Sequence, residues 1–232
     1  MFTNELLLII SLLVIYSMVL LFYKLFGKIG LLVWSAIITI LANIEVLILI
    51  DAFSMEQTLG NVLFASSFLV SDILSETEGK QSATLAVKIG IVTNICFIIL
   101  SQLWLLYTPS VNDFAMPAMK ELFTNTPRIL IAGLSVYALS QWIDVQLYHA
   151  IWNVTNKFFK ENSKGLWIRN NCSTLLSQVI NTVCFNVFAF YGVYELDVLI
   201  SIILSSYLIF FVTSICDTPI IYLARIIKNK EK

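Results

Sequence analysis

Residues 127–152 read PRILIAGLSVYALSQWIDVQLYHAIW. A bilayer core about 30 Å thick is crossed by about 20 mainly apolar residues in a helix, and this stretch is long enough. Tyr137, Ser140, Gln141, Asp144 and Tyr148 interrupt its apolar run. At about 100° per residue they fall within one stripe about 100° wide. The pattern is that of a spanning helix with one polar face turned away from lipid. A carboxylate inside a spanning helix costs about 2.5–3.5 kcal/mol on insertion scales, so it marks a ligand site, an ion path or a specific partner.

Outside this stretch the chain has the same character. Hydrophobic residues make up 59% of it, and its mean hydropathy is +0.87. Six further stretches could span: 5–26, 29–50, 58–75, 83–107, 170–193 and 197–224. The fifth in chain order, which begins at Pro127, stays helix-compatible to about Phe159. Its end, Asn153 to Lys160, is expected to project into the cytoplasm or lie along the interface. Residues 108–126, with Pro109 and Pro117, are expected to form the longest connecting excursion. The N-terminus carries Glu5 in place of a basic leader, and the run from Leu6 to Phe26 ends in no small-residue cleavage site. It is expected to be a retained helix. The fold class is therefore an all-α polytopic membrane protein with about seven transmembrane helices. It is expected to form one membrane domain, 1–232, in the plasma membrane, with residues 5–28 as an additional N-terminal helix and 29–228 as the core.

Basic residues give the orientation. Of the 14 Lys and Arg, only Lys120 and Arg128 fall on one side of this map. The others, from Lys24 and Lys28 through Lys80, Lys88, Arg169 and Arg225 to Lys232, fall on the opposite side. The positive-inside rule places that side in the cytoplasm, with the N-terminus outside. An odd number of spans agrees. A net charge of −1 with dispersed cations offers no nucleic-acid surface. Cys96, Cys172, Cys184 and Cys216 lie in apolar runs without CxxC spacing and read as packing residues. One histidine, His149, cannot build a multi-histidine metal site. Ser135 and His149 lie 14 positions apart. That is about 21 Å along one helix, so they form no dyad. No enzyme activity and no cofactor is expected.

Polar stripes recur in the third and sixth segments. The third carries Asn61, Phe68, Asp72 and Glu76; the sixth carries Asn170, Thr174, Ser177, Gln178 and Asn181, with Ser173 and Thr182 at its edges. With Asp144 these groups come to similar depths, roughly 5–15 Å from the cytoplasmic surface at 1.5 Å rise per residue. They are expected to face one another. Hydroxyls and amides also join membrane helices structurally, at about 0.6 kcal/mol per bond. Glu45 and Asp217, in the second and seventh segments, could equally be structural pairs.

Four pieces between Thr58 and Gly192 carry a resemblance. They are Ser71-Asp72-Ile-Leu-Ser-Glu76-Thr-Glu-Gly79, Ser140-Gln141-Trp142-Ile-Asp144 with Leu147, Leu166-Trp167-Ile-Arg169-Asn170-Asn171, and Ser173-Thr174-Leu-Leu-Ser177-Gln178-Val-Ile-Asn181-Thr182. On these the chain resembles the queuosine precursor transporter family, also called the vitamin uptake transporter family. It departs from the family at Glu78, where Tyr is usual, and at Asn181, where Asp is common. The second change removes a charge from a central face.

The resemblance implies import of deazaguanine bases, such as queuine or its cyano and aminomethyl precursors, by a stand-alone secondary transporter. The alternative is a substrate-capture subunit of an energy-coupling-factor complex driven by a partner ATPase, which co-purification would reveal. A guanine-like edge offers two donors that a carboxylate can accept; its carbonyl and ring nitrogen want donors. The expected substrate-binding residues are Asp72, Gln141, Trp142, Asp144, Arg169, Asn170, Asn171, Ser173, Thr174, Ser177, Gln178 and Asn181. Trp142, Trp167 and Phe68 are expected as ring partners. An unpaired carboxylate in an apolar helix can take up a proton as substrate loads, so Asp144, with Glu45, is the candidate for ion coupling. Expected partners are a purine-like base, the lipid bilayer and either a homo-oligomer or an ATPase module.

Overall fold

The computed structural model describes residues 3–124, 127–159 and 165–230. Lys160, Lys164 and Lys232, part of the basic side, lie outside the described residues. The order is α1 (Asn4–Glu45), β1 (Leu49–Ala52), β2 (Met55–Thr58), α2 (Gly60–Thr77), α3 (Lys80–Trp104), α4 (Met116–Thr124), α5 (Pro127–Phe159), α6 (Leu166–Phe190) and α7 (Leu196–Lys230).

Helix α1 is two arms. Gly27 has φ 56° and ψ −140°, outside helical space and open to glycine. Both arms reach the same end of the bundle. Asn4 donates to the Asp51 carbonyl at 2.8 Å, and the Phe53 amide donates to Glu5 at 3.1 Å. Glu45 meanwhile leads directly into the strands. The arms thus correspond to the expected first two segments, but the second stops at Glu45. Beyond it the chain forms an antiparallel hairpin, Leu49 opposite Thr58 and Ala52 opposite Met55, in place of the helix expected to residue 50. Phe53 and Ser54 both have positive φ, the pattern of a type I′ turn. The excursion 108–126 also holds α4. Asp113 accepts the Met116 amide at 2.8 Å, and Pro117 sits in the first turn, where its missing N–H costs nothing.

Among the described residues, five helices are long and apolar enough to cross a membrane. Helix α2 is not among them, for a physical reason. Its side chains from Asn61 to Ser75 are buried almost all the way round, so it needs no lipid-facing apolar stripe. It is the axis of the bundle, enclosed by α1, α3, α5 and α7. The main apolar core joins Tyr16, Tyr23, Trp34 and Ile38 of α1 to Leu69 and Ile73 of α2, Ala83 and Ala86 of α3, and Ala224 of α7. Exposed Leu, Ile, Val and Phe cover the outside of α1, α3 and α7. One end of the bundle carries the hairpin and the α3–α5 and α6–α7 connections. The other carries the Gly27 break, the α2–α3 turn and most cations; it is the basic end.

Candidate functional site

The polar faces read from the sequence do meet, in three levels along the bundle axis. At the hairpin end is a cavity of about 70 Å³, open at its mouth. Polar groups converge on this concave space. Asn43, Asn61, Asn94, Tyr137, Thr182 and Asn186 line it, with Phe64, Phe185 and Phe210 as apolar walls. Asn43 donates to Asn94 at 3.2 Å and Asn61 to Ser206 at 3.1 Å, tying α1 to α3 and α2 to α7.

Below the cavity lies a lattice of amides. Gln141 donates to Ser67 at 2.7 Å, and Asn181 donates to Gln178 at 2.9 Å while accepting from Ser140 at 3.4 Å. Next come the carboxylates. Ser177 donates to Asp144 Oδ1 at 3.0 Å, and Thr174 to Asp72 Oδ2 at 3.3 Å. Ser173, one turn before Ser177 on α6, donates to the Asn170 carbonyl at 3.2 Å. Asp72 Oδ1, Asp144 Oδ2, Gln141 Oε1 and Gln178 Nε2 are buried and have no donor or acceptor among the described residues. Buried polar atoms are rarely left so; a ligand edge or a proton would satisfy them. Asp217, from α7, accepts from Tyr16 of α1.

The third level is a clamp at the basic end. Arg169 Nε donates to Glu76 Oε2 at 2.9 Å, and its Nη2 lies 2.7 Å from both Glu76 oxygens. Tyr148 donates to Glu76 at 2.8 Å, and Arg225 stands 3.5 Å away. The Arg169 guanidinium covers the Trp152 ring at 4.2 Å. Both ion-pair side chains are out of water, at 0% and 2% exposure. Lys228 and Tyr23 close on Glu78 beneath.

Of the expected site residues, Asp72, Gln141, Asp144, Ser173, Thr174, Ser177, Gln178 and Asn181 are buried and brought together. Arg169 is engaged by Glu76. Asn170 and Asn171 join α6 to α7, both donating to Thr218, at 3.1 and 2.8 Å. Trp142 and Trp167 are 57% and 59% exposed and face away from the site. Of the three expected ring partners only Phe68 is buried inside, edge-on to Phe64 at 5.6 Å. Glu45 is part-exposed at the last residue of α1, off the axis. Asn43, Asn94 and Asn186 were not anticipated. Each is a lone amide in an apolar run, and that interruption is the one signal the sequence offers.

The model of the family described as "Putative vitamin uptake transporter" matches residues 58–224. A protein of Bacillus subtilis (strain 168) named "Probable queuosine precursor transporter" is 37% identical over 218 residues, covering 94% of this chain and 93% of its own length. No solved structure matches the chain. A match from α2 through most of α7, with a relative aligned nearly end to end, places the chain in the vitamin uptake transporter family, whose members are membrane transporters and not enzymes.

Proposed function

We propose that the protein imports deazaguanine precursors of queuosine, queuine or its cyano or aminomethyl precursors, across the plasma membrane as a stand-alone secondary transporter. The observation that carries this reading is the set of unpaired buried atoms beneath the cavity: acceptors on Asp72, Asp144 and Gln141 beside a donor on Gln178. A guanine-like edge supplies two donors to a carboxylate and takes donors at its carbonyl and ring nitrogen. The base lies between α5 and α6 on Asp144, Ser173, Thr174, Ser177, Gln178 and Asn181, with Asp72 closing from α2. The hairpin end faces outward and the basic end faces the cytoplasm. Transport is linked to protons through Asp144. Uptake into vesicles that ignores a pH gradient would remove that coupling.

The test is a paired measurement of binding and melting temperature on Asp144→Asn and Gln178→Ala. Asp144→Asn keeps the volume but turns one acceptor into a donor facing a ligand amine. The expected loss is at least about 2–3 kcal/mol, or 30- to 150-fold in affinity. A purely structural role would instead lower the melting temperature and leave affinity near normal.

A further inference from the structure

The cavity at the hairpin end is chemically unlike the carboxylate face below it. Its lining holds no Asp, Glu, Lys, Arg or His among the described residues. Two of its polar atoms, Thr182 Oγ1 and Asn186 Oδ1, lack a partner among the described residues, on side chains only 1% and 2% exposed. The Asn186 amide cannot simply turn to hide its oxygen, because its Nδ2 is committed to the Thr182 carbonyl at 2.8 Å. The two acceptors stand one turn apart on the same face of α6, about 5–6 Å between Cβ atoms. One planar ligand with donors along its edge can span them. Flat walls are also present. Phe64 packs edge-on against Tyr137 at 5.9 Å and Phe210 at 6.1 Å. Ser67 and Asn181 line this space, and their bonds to Gln141 and Gln178 form its floor above Asp144 and Asp72.

We propose that this cavity is a receiving site stacked above the carboxylate face, with Asn181 at their boundary, and that it takes an uncharged planar heterocycle held on Thr182 and Asn186. The proposal rests on the deazaguanine reading above and adds a selectivity to it. An aminomethyl substituent is an alkylamine, cationic at neutral pH like a lysine, whose ordinary pKa is about 10.4. A cation moved out of water without a paired anion is strongly disfavoured. The cyano base carries no such charge. The receiving site therefore prefers the cyano base to the aminomethyl base, while the carboxylate face below accommodates either.

The test uses the full-length protein in lipid nanodiscs, titrated calorimetrically with the cyano base and with the aminomethyl base. Wild type should bind the cyano base in two events. Asp144→Asn should lose the event at the carboxylate face and keep the other. That remaining event should be at least about tenfold weaker for the aminomethyl base, and at least about tenfold weaker for the cyano base when Asn186→Leu is added. Thr182→Val, which keeps the side chain's shape, gives the same comparison if Asn186→Leu does not fold. A single wild-type event that vanishes wholly in Asp144→Asn overturns the receiving site and leaves the transport reading standing. Equal residual binding of the two bases overturns the selectivity. No binding of either base to wild type overturns the deazaguanine reading itself.

Discussion

Glu76 gathers donors from three helices: Arg169 of α6, Tyr148 of α5 and Arg225 of α7. Removing one member of a buried pair strands the other's charge, at about 3–5 kcal/mol. Glu76→Gln should therefore lower the melting temperature sharply. Glu76→Leu with Arg169→Met should cost less than Glu76→Gln alone, because the pair's desolvation is then avoided. Thermal unfolding in detergent checks both. Gly90 has a different task. A Cβ there would lie 2.1 Å from the Tyr137 hydroxyl and 2.8 Å from its ring. Tyr137 also lines the cavity, so it cannot step aside without reshaping it. Gly90→Ala should cost about 1–3 kcal/mol, as overpacking does, and should weaken substrate binding. Tyr137→Phe in the Gly90→Ala background should recover part of the stability. The carboxylates and the α6 stripe were legible in the sequence because helical spacing puts one buried face on one line. Trp142 and Trp167 misled because each adjoins a site residue in sequence, yet one position is about 100° of turn and points a side chain elsewhere.

At the scale of elements, the break in α1 separates two kinds of glycine. At Gly27 a Cβ would meet nothing within 4 Å, so Gly27→Ala carries only its backbone strain, about 1–3 kcal/mol. At Gly30 a Cβ would lie 2.1 Å from the Phe22 carbonyl oxygen, a backbone obstacle on the opposite arm. Gly30→Ala should force the arms apart and be the more destabilising of the two. The melting temperatures of the two variants, compared in one detergent, test the order. The boundary between the arms was readable from Gly27 among Lys24 and Lys28. The strands were not, because no Asn-Gly or Asp-Gly marks their turn; Phe53 and Ser54 fill left-handed positions instead. The Phe53 amide is held by Glu5, a contact that no local pattern encodes. Helix α4 was hidden by Pro117, which breaks a helix interior but begins one without cost.

For the whole molecule, the proposed orientation makes a direct prediction. Asn229 lies in the last turn of α7, at the basic end. A cysteine placed there should resist impermeant thiol reagents in intact cells and react after permeabilisation. Labelling from outside would invert the map. The cavity reaches the hairpin end, whereas the basic end is closed by the Glu76 clamp, which ties together α2, α5, α6 and α7. If opening that end means parting the buried pair, an empty protein holds the open state about 3–5 kcal/mol above the closed one. That corresponds to roughly one molecule in 10² to 10⁴ open at any instant. Such a protein is nearly leak-proof when idle. Its turnover then depends on how much more tightly the open form grips its cargo than the closed form does, so the tightest ligand of the closed form would be an inhibitor and not the best substrate.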